Sequence, residues 1–152
     1  MEPEYSETDR GQDVLWRWRS GAFPCFRAIC SQRMTGVSMF AAFEPGRDMF
    51  DVIVSNPPYI PSEVIRGLEP EVRDHEPLGA LDGKEDGLYF YRRLAEECGR
   101  HLKLGGRVYF EIGHDQGAAV TALLEENGYR NIQVIKDAPG LDRVVKAEAA
   151  GR

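Results

Sequence analysis

The sequence predicts an α/β fold in which a sheet of mainly parallel strands ends in an antiparallel hairpin. Residues 50–54 form a short run of apolar and β-branched residues, which is typical of a central parallel strand. An amphipathic helix and then an alternating strand at 107–112 follow this run. Two further strands, at 129–136 and 143–147, are joined through a short link that contains Pro139 and Gly140, and such a link predicts a hairpin.

The helix boundaries are predicted from polar capping residues and glycines. Ser62 is a candidate N-cap for one or two helical turns that end at Gly67. The amphipathic helix is expected to end at Leu104-Gly105-Gly106. Its apolar positions at helical spacing are Leu88, Tyr91, Leu94, Ala95, Cys98 and Leu102. Asp115 is a candidate N-cap for a last helix, which Asn127-Gly128 is expected to end.

Length, charge and cysteine content exclude several classes of protein. A chain of 152 residues suffices for one domain with a core. The net charge is −6 without a block rich in Lys or Arg, which argues against binding to duplex nucleic acid. The three cysteines, Cys25, Cys30 and Cys98, are an odd number, and the first two have no His nearby, so neither a disulfide framework nor a zinc site is expected. An acidic N-terminus and the lack of a long apolar run predict a cytoplasmic protein.

The stretch Asn56-Pro57-Pro58-Tyr59 follows the predicted central strand directly. Two prolines fix φ and remove two backbone donors, so the carbonyl groups around them are held in place without partners. In open α/β sheets, ligands bind at the carboxyl ends of the strands. The Asn56 amide oxygen and the Pro57 carbonyl could accept the two hydrogens of a planar NH2 group, while the Tyr59 ring stacks on its plane.

Asn-Pro-Pro-Tyr resembles the signature of class I S-adenosylmethionine-dependent methyltransferases that act on amide or exocyclic nitrogens. Three companions follow at similar distances in the peptide chain release factor N5-glutamine methyltransferases: Glu76-Pro77, Leu81-Asp82-Gly83 and Asp86-Gly87-Leu88. Residues 39–148 resemble about the C-terminal two-fifths of such an enzyme. The resemblance implies the C-terminal half of a Rossmann-like sheet, with the last strand inserted antiparallel.

The resemblance also implies the cofactor, the partner and the site residues. The cofactor is S-adenosyl-L-methionine, and the protein substrate is a peptide chain release factor. The implied catalytic residues are Asn56, Pro57 and Tyr59, and the implied substrate-binding residues are these three with Pro58. Asn56 is also the one implied cofactor-binding residue, because no Gly-x-Gly-x-Gly loop precedes Asp51. We therefore expect the N-terminal strands of the family to be missing.

Residues 1–38 show neither a period of two nor one of 3.6, so no element is predicted there. We expect a leader of doubtful structure, and we hypothesise that it is not native methyltransferase sequence, as a frameshift or a misplaced start would give. Residues 149–152 are expected to be a tail. Resequencing of the locus tests the hypothesis, and an intact upstream reading frame would contradict it.

Two other functions stay open from the sequence. An adenine-N6 nucleic-acid methyltransferase faces the same planar NH2 group, although the acidic charge argues against it. A non-catalytic fragment that exposes a sheet edge is a hypothesis of a different class. Catalysis by His75, His114 or Asp115 is less favoured, because a lone polar residue in a loop is more often a surface residue or a cap.

Overall fold

The computed structural model describes residues 4–7, 13–20, 23–31, 40, 43–47, 49–67 and 81–150. These residues form a seven-stranded sheet in the order β1-β2-β3-β4-β5-β7-β6, with three helices. The strands are β1 Glu4–Glu7, β2 Asp13–Ser20, β3 Phe23–Ser31, β4 Phe50–Ser55, β5 Leu102–Glu111, β6 Tyr129–Lys136 and β7 Asp142–Ala149. The helices are α1 Ser62–Arg66, α2 Tyr89–His101 and α3 Gly117–Glu126.

The C-terminal half of the sheet confirms the predicted order of elements and the antiparallel hairpin. β4 and β5 are parallel neighbours, with Ile53 opposite Val108. β7 pairs antiparallel with both β5 and β6, so β4, β5 and β6 run in one direction and β7 runs against them. Four of the six described strand pairs are antiparallel, so the sheet is mixed rather than mainly parallel.

Three strands precede β4, where the sequence predicted no element. β1 pairs antiparallel with β2, and β2 with β3, while β3 runs parallel to β4. The expectation of a leader without elements is therefore wrong for β1, β2 and β3. Alternation of apolar and polar residues indicates a strand with one buried face, whereas backbone pairing between strands requires no such pattern. An antiparallel arrangement of β1 to β3 is also not the set of parallel strands that the resemblance implies.

The amphipathic helix α2 lies where the sequence predicted it, but it ends earlier. Its apolar face is buried through Phe90, Tyr91, Leu94, Ala95 and Cys98. The predicted end at 104–106 is wrong, because α2 ends at His101 and β5 begins at the next residue. The glycines at 105 and 106 instead lie in an irregular part of β5, where the register with β4 shifts. A glycine at positive φ (+73° at 105) permits that irregularity.

Both predicted N-caps are wrong, whereas the predicted ends of α1 and α3 are confirmed. The N-cap positions of α1 and α3 are Pro61 and Gln116, and neither makes a side-chain capping bond. Ser62 is the first residue of α1, and its hydroxyl bonds to a residue outside the helix. Gly67 follows α1, and Asn127 follows α3, as expected. Capping patterns fix a helix start only to within a residue or two.

The core lies between the sheet and the pair of helices α2 and α3. Within the described residues, no helix is long and apolar enough to span a membrane. The fully buried side chains include Phe50, Ile53, Tyr91, Leu94, Val108, Phe110, Ile112, Val120, Leu124 and Val145. The Tyr91 hydroxyl donates a hydrogen bond of 2.6 Å to the Glu111 carbonyl, which ties α2 to the carboxyl end of β5. The two carboxyl ends of β4 and β5 therefore meet at one edge of a well-packed sheet.

Candidate amide-binding site

The Asn-Pro-Pro-Tyr loop, residues 56–59, begins directly after β4 at the carboxyl end of the strand. Asn56 is exposed, Pro57 and Pro58 are buried, and Tyr59 is half-buried with its side chain packed against the core. The loop is therefore anchored through its prolines and its aromatic ring while its amide lies at the surface. Of the two predicted acceptors, Asn56 is accessible, and Pro57 is less than 2% exposed.

The Leu81-Asp82-Gly83 segment holds the loop from behind through backbone hydrogen bonds. The Ile60 N–H donates to the Leu81 carbonyl at 3.1 Å, and the Gly83 N–H donates to the Ile60 carbonyl at 2.8 Å. A side chain at Gly83 would have its Cβ 2.8 Å from the Tyr59 backbone, closer than real Cβ contacts come. The segment that the sequence matched as a companion motif is thus the surface on which the loop rests.

Asp82 joins this segment to α1. Its carboxylate accepts hydrogen bonds from the Ser62 hydroxyl at 2.6 Å and from the Lys84 N–H at 2.9 Å, and Lys84 Nζ lies 3.0 Å from its other oxygen. The Ser62 hydroxyl, and then Lys84, hold the pKa of Asp82 below its ordinary value. The hydroxyl that the sequence assigned to a helix cap therefore fixes the segment behind the loop.

Removal of that hydroxyl should change the acid response of the protein. A carboxyl group with a lowered pKa stabilises the fold above its unfolded-state pKa, and the stabilisation is lost as the pH falls through the folded-state pKa. We expect Ser62→Ala to raise the Asp82 pKa toward its ordinary value and to weaken this acid-sensitive stabilisation. Titration of the Asp82 carboxyl carbon by NMR measures the change. Glu63→Gln, on the same helix, is the control, and an unchanged Asp82 midpoint in Ser62→Ala would contradict the assignment.

The Asp86-Gly87 turn forms a second support for the loop. Asp86 accepts a hydrogen bond from the Leu88 N–H at 3.0 Å and is paired with Arg92 of α2. Arg92, and then the Leu88 N–H, lower the pKa of Asp86. Gly87 has a φ of +74°, and a Cβ there would collide with the Tyr59 carbonyl oxygen. This turn therefore passes so close to the loop that only glycine fits.

Gln116 also contacts the loop, and the sequence assigned no role to it. Its Nε2 donates a hydrogen bond of 3.0 Å to the Tyr59 carbonyl across 57 residues of sequence. The only feature of the sequence that could have indicated this contact is the position of Gln116 in the segment 113–116, which follows a predicted strand. The neighbours His114 and Asp115 are exposed at the same edge. His75 and Glu76-Pro77 lie outside the described residues.

The described residues before β4 do not include the elements that hold a nucleotide cofactor in a Rossmann-like sheet. A site for such a cofactor needs a glycine-rich turn between a parallel strand and a helix. No Gly-x-Gly-x-Gly occurs before Asp51, and the described residues before β4 contain no helix. In the described ranges there is also no group of three or more His, Cys, Asp or Glu side chains that could hold a metal ion. At this edge of the sheet, Asn56 is the single residue that the sequence predicts to contact the cofactor.

The curated relatives of this chain include three proteins that are named release factor glutamine methyltransferase. The protein of Caulobacter vibrioides is 57% identical over 100 residues, which are 66% of this chain and 35% of the relative. That of Agrobacterium fabrum is 47% identical over 103 residues (68% and 36%), and that of Bacillus anthracis is 50% identical over 107 residues (70% and 38%). The chain thus spans just over a third of the length of these relatives.

The solved structures that are similar to this chain include two methyltransferases. One is the protein-(glutamine-N5) methyltransferase, release factor-specific, from Alicyclobacillus acidocaldarius, with a TM-score of 0.43 and 34% identity over 68% of this chain and 50% of the other. The second is a methyltransferase from Pyrococcus furiosus, with a TM-score of 0.49 and 22% identity over 78% of this chain and 48% of the other. The chain matches no protein-family profile.

The α/β order, the antiparallel insertion of β7 and the Asn-Pro-Pro-Tyr loop after β4 are those that the sequence resemblance to class I methyltransferases implies. The predicted fold is confirmed for β4 to β7, whereas β1 to β3 differ from it. Within the class, the curated relatives all match through a C-terminal part. Over that part, the chain is 47–57% identical to proteins named release factor glutamine methyltransferase.

Proposed function

We propose that this chain provides the amide-binding part of an S-adenosylmethionine-dependent methyltransferase that modifies a glutamine side chain of a peptide chain release factor. The observation that carries the proposal is the exposed Asn56 amide on a loop that is fixed from behind by Ile60, Gly83 and Gln116. The part of the chain that carries the resemblance spans residues 39–148. The setting of the reaction is the cytoplasm.

The residues act on a weak nucleophile. The lone pair of an amide nitrogen is delocalised into its carbonyl, so the nitrogen attacks poorly unless it is oriented. Asn56 Oδ1 and the Pro57 carbonyl accept the two N–H groups, which orients the nitrogen and stabilises the positive charge that grows on it. Tyr59 stacks on the amide plane and excludes water, and Pro58 keeps the loop rigid. No strong base is needed before transfer.

Of the two acceptors, the Pro57 carbonyl is the less accessible to a substrate. Pro57 is buried in the present structure, so a substrate must displace the groups that cover it before both acceptors can bind one amide. Asn56 needs no such movement because it is already exposed. We therefore assign the first contact with the substrate amide to Asn56 and the second to Pro57.

A chimeric enzyme tests the function. The matched segment of the Caulobacter vibrioides relative is replaced by the corresponding segment of this chain, which leaves the rest of that protein intact. Tritium transfer from labelled S-adenosylmethionine is then measured to a release factor and to DNA. We expect transfer to the release factor alone. Transfer to DNA alone would favour the adenine-N6 function, and no transfer to either would favour a non-catalytic fragment.

The 152-residue chain itself should bind S-adenosylmethionine weakly or not at all. The Gly-x-Gly-x-Gly loop that holds the nucleoside in such enzymes does not occur in its sequence before Asp51. Isothermal titration calorimetry of the chain measures the affinity, with the chimeric enzyme as the positive control. A micromolar dissociation constant for the chain alone would contradict the expectation.

A further inference from the structure

The Gln116 side chain is buried and hydrogen-bonded at both ends of its amide. It is 8% exposed. Its Oε1 accepts a hydrogen bond of 3.0 Å from the Gly113 N–H, and its Nε2 donates to the carbonyls of Tyr59 at 3.0 Å and Gly87 at 3.3 Å. A buried amide costs free energy unless its donors and acceptor are satisfied, and here all three bonds are made. The side chain thus joins three separate backbone segments at the edge of the sheet.

Glycines surround this amide closely. A Cβ at Gly87 would lie 2.7 Å from Gln116 Nε2, and a Cβ at Gly113 would lie 3.0 Å from Gln116 Oε1. Both glycines are buried. The amide therefore has little room to move, and its bonds depend on backbone groups rather than on the side chains of its partners.

We propose that Gln116 is a positioning residue for the Asn-Pro-Pro-Tyr loop, and that it sets the pose in which Asn56 accepts a substrate amide. Gln116 fixes the carbonyl of Tyr59, three residues after Asn56. The two intervening prolines have fixed φ angles, so fewer backbone torsions can absorb a displacement of the Tyr59 carbonyl before it reaches Asn56. This inference rests on the proposed function, because the position of Asn56 matters for activity only if Asn56 binds a substrate amide.

A role in fold stability alone predicts something different. A buried side chain that only stabilises the protein would, when changed, lower the free energy of unfolding without a selective effect on residues 56–59. A positioning residue changes the environment of Asn56 and Tyr59 even in a chain that stays folded. NMR of the complete 152-residue chain separates the two, through the side-chain amide signals of Asn56 and the ring signals of Tyr59.

Gln116→Glu is the informative variant. An ionised carboxylate puts acceptor oxygens against the carbonyls of Tyr59 and Gly87, whereas the protonated acid offers one O–H donor. We expect the Asn56 and Tyr59 signals to shift at neutral pH and to return toward the wild-type positions on acidification. Gln116→Ala has no donor, so its signals should stay displaced at every pH. Wild-type chain titrated in parallel corrects for the nearby groups Tyr59, Asp86, His114, Asp115 and Asp142.

Leu123→Ala is the matched control, since Leu123 lies on α3, seven residues after Gln116, and packs against the core. It should lower stability and leave the Asn56 and Tyr59 signals in place. The proposal is overturned if Gln116→Glu leaves those signals unmoved, if Leu123→Ala moves them equally, or if Gln116→Glu unfolds at every pH. No methyl donor is used, so failure of this test is distinct from failure of methyl transfer in the chimeric enzyme.

Discussion

Replacement of Asn56 by alanine in the chimeric enzyme should lower kcat by about two to three orders of magnitude, which is the scale for loss of one preorganised polar contact to developing charge. The Asn56 amide is the exposed acceptor of the loop, and the loop is held in place by backbone bonds that the substitution leaves intact. Steady-state kinetics with a release factor as the methyl acceptor measures the change.

The control for this prediction is Asn127→Ala. Asn127 is also an exposed asparagine, but it lies after α3, where its Nδ2 donates to the Leu123 carbonyl at 2.8 Å. Its loss should leave kcat unchanged. A fall of less than about tenfold in Asn56→Ala would mean that the amide is not the group that stabilises the transition state. A rise in KM with an unchanged kcat would assign Asn56 to uniform substrate binding instead.

Gly87→Ala should lower the free energy of unfolding of the 152-residue chain by about 2–4 kcal/mol, which combines overpacking with a left-handed backbone conformation. Gly87 has a φ of +74°, and its added Cβ would meet the Tyr59 carbonyl oxygen and Gln116 Nε2. Both of these atoms belong to the support of the loop, so they cannot move apart without loss of the bond between them. Urea denaturation followed by circular dichroism measures the change.

Gly128→Ala separates the two parts of that effect. Gly128 has a similar φ of +81°, but no atom lies within 4 Å of a Cβ built there. Its substitution should therefore cost only the conformational part, about 1–2 kcal/mol. If both variants lose the same stability, close approach to the loop is not what requires glycine at position 87.

The sequence predicted most of the C-terminal elements because their signals are local. β6 has the bounds that the sequence predicted, and α2 and β4 differ from their predictions by only a few residues. A buried face leaves a periodic pattern in sequence, and a stiff proline pair marks a strand end without ambiguity. The companion motif at 81–83 follows from the resemblance to the family, whereas nothing in the sequence indicates its contact with the loop.

What the sequence did not predict depends on contacts between distant residues or on backbone pairing alone. Gln116 lies 57 residues after Tyr59, and nothing in either local pattern indicates that they meet. Ser62 has the composition of a cap but bonds to Asp82, twenty residues later. The burial of Pro57 likewise results from packing around the loop, which no local pattern reports.

The place of β7 in the sheet has a consequence for synthesis of the chain. β6 has β7 as its one neighbour among the described strands, and β7 follows β6 along the chain. During translation, β6 therefore emerges from the ribosome before the strand that must separate it from β5. During that interval the backbone edge of β6 has no strand beside it, and an unpaired edge favours aggregation of nascent chains. A stop codon before residue 142 would leave β5 and β6 without their shared neighbour.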